Sequence, residues 1–392
     1  MSGQHASIDD SPLAEIARML NRRWRNIERA RQMSQEKLQQ LSKIIENVPT
    51  ANLASGISVP GPDADASIVV HGSLARFECT KGSDLDWTLL VDGVANPAAQ
   101  KTFLAIKNAL YDGQIFRILG VKPPGQEGTF GALNFSQPMM HYIGGEEDSN
   151  SNTTRRVLLL LEALPLGKNR QAFDNVRAGI LWRYIDEDRN LLRKDMNGKI
   201  RWIPLFLLND FARYWRTMAV DFAYKQYDRG NRGYALRITK LGVSRKLLFA
   251  SGLLTCFWCD PAISGNQIAD VSKQNLIIQL VQFLSLTPLE RIAFYFTTQI
   301  RMADSDITRK EAAKALRDNA RELFDAYDQF LTLLNSKKKR QELDQLQPDS
   351  EEGSSTFLNA HHLRSRFRSA IEQMFTGDIS PLREHSIGKG IF

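Results

Sequence analysis

Three cysteines are too few for a disulfide framework, and that scarcity fits a reducing compartment better than an oxidising one. Long apolar runs are missing as well: nothing approaches the ~20 apolar residues that a membrane span requires. The opening "MSGQHASIDDSPLAEIARML" has no charged-then-apolar signal pattern, so a cytoplasmic location without membrane association is expected. An excess of acidic residues is also absent. With 51 Lys and Arg against 44 Asp and Glu, the formal charge is +7, which biases the chain toward polyanionic ligands such as nucleotides or nucleic acid. No internal repeat is visible. What is present is ordinary globular composition, 43% hydrophobic over 392 residues, long enough for two or three domains.

Ser11 and Pro12 suit a helix start, and apolar residues then recur at helical spacing from Leu13 to about Ile45. Arg22, Arg23, Arg25, Arg29 and Arg31 occupy the other face, which reads first as a solvated surface and second as a nucleic-acid arm. After the turn-rich "ANLASGISVPGPDAD", an apolar strand covers Ile68 to Val70. Residues 97 to 111 read as a helix, and "QIFRILGVKPPGQEGTFGALNFS" as two strands around a Pro/Gly turn. "GGEEDSNSNTTRR" is a polar loop, and "RRVLLLLEALPL" opens a buried helix. Beyond about residue 170 the pattern is helical, most clearly from Pro204 to Tyr227. "SKKKRQELDQLQPDSEEGSS" reads as an exposed, mobile connector. The expected fold class is α+β: a small mixed sheet with helices, followed by a mainly α-helical domain. The expected boundaries are an N-terminal helix in 1–50, a sheet domain in 51–170 and a helical domain in 171–392, with the connector around 336–355.

The chemistry concentrates in "VVHGSLARFECTKGSDLDWTLLVDG", residues 69–93. Strand alternation puts Asp84 and Asp86 on one face, with Leu85 and Trp87 on the other. Two close carboxylates repel and raise each other's pKa, and a divalent cation relieves this. An oxygen-only pair suits Mg²⁺ or Mn²⁺, which keeps waters and substrate phosphates as its remaining ligands. Across the turn, Gly72 lets backbone N–H groups approach a phosphate, Ser73 adds a hydroxyl, and the segment after them can present a helix start. Ser83 stands just before the acidic pair. The plain alternative is two surface aspartates after a strand turn.

The stretch "HGSLARFECTKGSDLDWTLL" resembles the active-site signature of the polymerase-beta nucleotidyltransferase superfamily: Gly-Ser, a spacer, then Asp-x-Asp in the next strand. Within it, the spacing resembles the uridylyltransferases of nitrogen-regulatory proteins and related bacterial nucleotidyltransferases. More distantly it is similar to cGAS/DncV-like antiviral signalling nucleotidyltransferases. The resemblance covers residues 65–180 well and the helical remainder loosely. It implies a palm fold for the sheet domain and two-metal transfer of a nucleotide, in which the ions stabilise attacking and leaving oxygens. It also implies a third carboxylate on a neighbouring strand. No apolar-Asp-apolar triplet occurs between 100 and 145; Glu127 is the first candidate, as catalytic residue and metal ligand, and Asp112 the second. Glu127 reads equally well as an exposed turn residue.

In "YALRITKLGVSRKLL", Arg237, Lys240 and Ser244 share one helix face and could hold a triphosphate tail, or form a solvated basic face. The resemblance favours Lys240 and Ser244 in the nucleotide-binding role. Arg213 and Arg216 could add to that surface, and Tyr214 and Trp215 could stack on a base, although such spacing more often builds core. Cys256 and Cys259 have C-x-x-C spacing with no second pair or histidine beside them, so they read as buried thiols. His361 and His362 read as surface residues. Phe392 offers no hydroxyl for self-priming, and Ser386 is the nearest alternative.

The expectation is an Mg²⁺-dependent enzyme, with Mn²⁺ as the alternative ion, that moves a nucleoside monophosphate from an NTP or dNTP to a hydroxyl acceptor. The acceptor is another nucleotide, an RNA or oligonucleotide end, or a protein residue. The layout leans toward a synthase of nucleotide signals in antiviral defence, whose product an effector protein would sense. The alternatives are a toxin-like enzyme modifying tRNA or protein, and an inactive nucleotide- or nucleic-acid-binding module.

Overall fold

Val70 and Trp87 sit opposite each other in neighbouring strands, both buried, and around them the fold's only described sheet assembles. The computed structural model describes residues 11–46, 65–93, 97–112, 114–125, 129–196, 198–265, 272–348 and 354–390. It is mixed α/β and divides into two units: Arg29–Tyr184, which contains the sheet, and Met1–Glu28 with Ile185–Phe392, which is helical.

In the sheet unit, β1 (Asp65–His71), β2 (Asp86–Asp92), β3 (Ala132–Phe135) and β4 (Ala163–Leu166) lie in the order β3-β2-β1-β4. β1 runs antiparallel to β2 and to β4, whereas β2 and β3 are parallel, joined through the helices Pro97–Asp112 and Ile115–Leu119. Leu85, Trp87, Leu89 and Val91 on β2 and its lead-in, with Ala66, Ile68 and Val70 on β1, face one way. They form a core with Leu38, Leu41 and Ile45, with Phe103, Ile106 and Leu110, and with Ile115 and Leu119. The opposite face carries Ser67, Val69 and His71 from β1 and Asp86, Thr88 and Leu90 from β2. Ser67 Oγ accepts a hydrogen bond from the Phe173 N–H at 3.3 Å, which ties the start of the helix Gln171–Glu187 to that face.

The segment expected as a strand from Gln114 is the helix Ile115–Leu119. Its two ends, four residues apart, both reach the sheet core, and Gly120 at φ 58° ends it. "LEALPL" does not continue a helix: the helix Asn150–Leu161, capped by Ser149, stops and β4 follows.

The first helix expected from Leu13 to Ile45 is two, Pro12–Met19 and Arg25–Glu46. Asn21 takes φ 49°, and the restart is capped from far along the chain. The Asp328 carboxylate accepts from Asn26 N–H at 2.8 Å and from Ile27 N–H at 3.0 Å, while Trp24 Nε1 donates to Asp325 at 2.7 Å. Arg22, Arg23, Arg25 and Arg29 are exposed, as a solvated face would be.

In the helical unit, the helices Pro288–Asp304, Lys310–Asn335 and Ser355–Thr376 bury Phe296, Phe324, Tyr327, Phe330 and Phe367. A capping box of Thr287 and Glu290 starts the first of them. The expected connector is partly ordered: Ser336 caps the helix Lys337–Gln345, Leu343 is fully buried, and Glu342 accepts from Ser354 and Thr356. Residues 349–353 lie outside the described residues. Among the described residues no single helix is long and apolar enough to cross a membrane.

Candidate functional site

Gly72 is held by two independent requirements. Its φ of +69° lies in the left-handed region, and a Cβ built on it would sit 2.8 Å from Asp86 Oδ2. The turn that follows β1 therefore meets the carboxylate at the start of β2, with only a hydrogen between them. His71, paired directly with Asp86 across the strands, sits on the same face.

The spacer between Gly-Ser and Asp-x-Asp is tightly fixed. Glu78 N–H donates to Ser73 O at 2.8 Å, and Cys79 N–H donates to Ser34 Oγ at 3.0 Å. Arg76 Nε bonds Glu78 at 2.8 Å, and the same guanidinium bonds Glu162 at the entrance to β4; all three side chains are buried. Phe77, also buried, takes φ 58°, a conformation that costs a non-glycine residue roughly 1–3 kcal/mol. The Arg31 guanidinium lies 5.6 Å over its ring. This spacer is a rigid bracket that keeps two chain segments in fixed register.

Ser83 helps close the bracket: its Oγ accepts from Thr80 N–H at 2.9 Å. On the far side, Leu85 N–H donates to Lys122 O at 2.8 Å and Lys122 N–H to Ser83 O at 3.0 Å, so the backbone at Asp84 is extended. Asp84 is exposed and Asp86 half-buried, while Leu85 and Trp87 between and after them are buried. That alternation puts both carboxylates away from the core, as the spacing predicts. Ser73 is half-buried.

His71 is fully buried, and burial pushes its pKa down to about 4 against a smaller upward pull from Glu162. It is neutral at pH 7. Nε2 pairs with Thr88 Oγ1 at 3.1 Å, and Nδ1 has no partner among the described residues. Its place directly before Gly72 is the one sequence signal for its position here, which the local motif alone does not distinguish from an ordinary strand residue. The Arg76–Glu78–Glu162 cluster was missed for a different reason: Glu162 is 86 residues from Arg76.

Glu127 lies outside the described residues, and Asp112 ends the helix Pro97–Asp112. β3 carries no carboxylate. On the face shared with Asp86 it presents Ala132 beside Thr88 and Asn134 beside Leu90. Among the described residues no group of three or more His, Cys, Asp or Glu side chains is placed to hold a metal ion. The donor set is therefore two carboxylates, oxygen only, with the Gly72 turn packed directly against Asp86 Oδ2. That fits a hard divalent cation whose other ligands are waters and phosphate oxygens.

The expected triphosphate clamp belongs to the helical unit, and its residues differ in role. Arg237 Nη1 donates to Lys225 O at 3.2 Å, and Ser244, buried, turns its hydroxyl back to Lys240 O at 3.1 Å. Lys240 is exposed. Tyr214 is core, while Trp215 is half-buried and stacks on Phe249 with centroids 5.1 Å apart. Cys256 and Cys259 are buried, and burial raises both thiols. Neither a known family model nor a curated protein sequence matches the chain.

Proposed function

We propose that this protein is a nucleotidyltransferase that moves a nucleoside monophosphate from an NTP or dNTP to a hydroxyl acceptor. The observation that carries the proposal is the contact between the Gly72 turn and the Asp86 carboxylate. The turn after β1 and the Asp86 carboxylate meet at one point of the fold, and strand spacing puts Asp84 on the same side, which supports reading them as a phosphate-facing turn beside a cation-binding pair. In the reaction, the acceptor oxygen bonds to the α-phosphorus, the bond from that phosphorus to the α–β bridging oxygen breaks, and pyrophosphate leaves. The acceptor's proton passes to solvent.

Asp84 and Asp86 would hold Mg²⁺ or Mn²⁺, which neutralises charge on the phosphates and on the attacking and leaving oxygens. Gly72 keeps side-chain bulk away from the phosphate chain, and the Ser73 hydroxyl supplies a donor. The bracket from Arg76 to Ser83 holds the turn and the carboxylates in register before substrate arrives. Together with the resemblance noted from residues 71–90, this supports synthesis of a nucleotide signal as the first choice of product. Transfer to tRNA or to a protein side chain is the alternative.

A second reading has its own support. Ala132 and Asn134 occupy the β3 positions that share a face with Asp86, where a third acid would complete a catalytic set. A chain with two acids could bind a metal-nucleotide without turning it over. Pyrophosphate release from each NTP and dNTP, with Mg²⁺ or Mn²⁺ and with or without RNA, separates the two readings. The transferase predicts release that disappears in Asp84→Ala/Asp86→Ala. Cation-dependent binding with no release under any condition would establish the binding module instead.

A further inference from the structure

In the helical unit, the helix Tyr234–Lys240 runs into a π-helical turn, Leu241–Arg245, before the helix Lys246–Phe257 begins. Such turns interrupt an otherwise regular helix and frequently mark functional positions. Here the turn borders a cavity of about 320 Å³, lined by Trp215, Gly242, Lys246, His361, Arg364 and Arg368 among others. Ligand pockets for small molecules begin at about 300 Å³.

The lining combines basic side chains with an indole. Lys246 is half-buried and has no hydrogen-bond or ion-pair partner among the described residues. Burial lowers its pKa, with Glu372 opposing that shift and Arg368 adding to it. Arg368 pairs with Glu372 at 3.4 Å, and both side chains are exposed. Among the described residues no carboxylate lines the cavity. Trp215, which lines the same cavity, is fixed by its stack on Phe249, 18° from parallel, so its ring is held in one orientation. Gly242 is part of the construction: a Cβ there would come within 3.0 Å of Arg364 Cδ and 3.2 Å of its Cγ. Glycine in the π-turn lets the Arg364 stem lie against the helix backbone at the cavity edge.

An unpaired, half-buried ammonium beside two guanidinium groups calls for a multiply charged anion, and a fixed indole calls for a planar ring. We infer that this cavity is a binding site for a nucleoside phosphate, with the phosphates on Lys246, Arg364 and Arg368 and the base against Trp215. It shares no residue with the Gly72–Asp86 constellation, and it stands whether or not that constellation transfers a nucleotide.

Calorimetric titration of the full chain in EDTA tests this, because chelation removes any cation from Asp84 and Asp86. The probes are ATP, GTP, CTP, UTP, inorganic triphosphate and a single-stranded RNA oligonucleotide. At least one nucleoside triphosphate should bind, and Lys246→Met should weaken it by about tenfold or more. Arg368→Met, at an exposed position that leaves the fold intact, should weaken it in the same direction. Trp215→Leu should weaken the nucleoside triphosphate and leave inorganic triphosphate unchanged. Three outcomes overturn the inference: no nucleoside phosphate binds at millimolar concentration, binding survives both Lys246→Met and Arg368→Met, or only the RNA binds.

Discussion

The two units place their chemistry by opposite means. In the sheet unit, a single turn and the strand after it, Gly72 to Asp86, carry the constellation, and strand alternation aims both carboxylates away from the core. In the helical unit, the cavity draws Trp215, Lys246 and Arg364 from three helices far apart along the chain. The first arrangement depends on backbone conformation at a few positions. The second depends on side chains that can each yield a little. One should fail abruptly on a single change, and the other should degrade in steps.

The sharpest break of that comparison is Gly72→Ala. The left-handed conformation costs an L-residue roughly 1–2 kcal/mol, and the new methyl would press on Asp86 Oδ2 from 2.8 Å. The proposed transferase activity should fall by about a hundredfold or more, since a displaced carboxylate loses its orientation. Stability should fall only by the backbone cost. Pyrophosphate release and denaturant melts on the same preparation check both numbers. Full activity with the expected loss of stability would show that the Asp86 carboxylate has no need of a fixed position.

His71 sharpens the comparison through pH. Its pKa is about 4 in the folded chain and about 6.5 when unfolded, so between those values the unfolded chain binds more protons. Stability must therefore rise with pH across that window and fall as pH drops from about 6.5 toward 4. The difference of roughly 2.5 units corresponds to about 3 kcal/mol. Urea unfolding at a series of pH values, wild type against His71→Gln, measures it: the variant should lose that part of the slope. An identical slope in both would assign the acid sensitivity to other groups.

How much of this was legible beforehand divides along the same line. The outward direction of Asp84 and Asp86 and the turn at Gly72 were readable because spacing of two in a strand, and a glycine after one, are local facts. The break at Leu20–Trp24 was not, since its cap is the carboxylate of Asp328, roughly three hundred residues away. "QIFRIL" is rich in residues that favour strands, yet it forms a helix because Ile115 and Leu119 must reach one core. The helix Lys337–Gln345 was hidden by its charge: one buried leucine, Leu343, anchors an otherwise solvated segment. The cavity was least visible. Lys246 joins it only because the helix Ser355–Thr376 brings Arg364 and Arg368 to the same cavity, more than a hundred residues along the chain.

The smallest effect is expected at Gly242, the helical unit's counterpart to Gly72. Alanine there meets Arg364 Cδ at 3.0 Å, but the neighbour is a flexible side chain and can shift by a few tenths of an ångström. Replacing a helical glycine by alanine favours the folded state by roughly 0.5–1 kcal/mol, which offsets the crowding. Gly242→Ala should leave the melting temperature unchanged or slightly higher. Displacing the guanidinium should at the same time weaken nucleoside-phosphate binding in EDTA by about threefold. Stability and binding would then move in different directions, which general damage to the fold cannot produce. If binding instead vanished, as activity should for Gly72→Ala, the cavity would depend on one backbone position after all, and the contrast between the units would collapse.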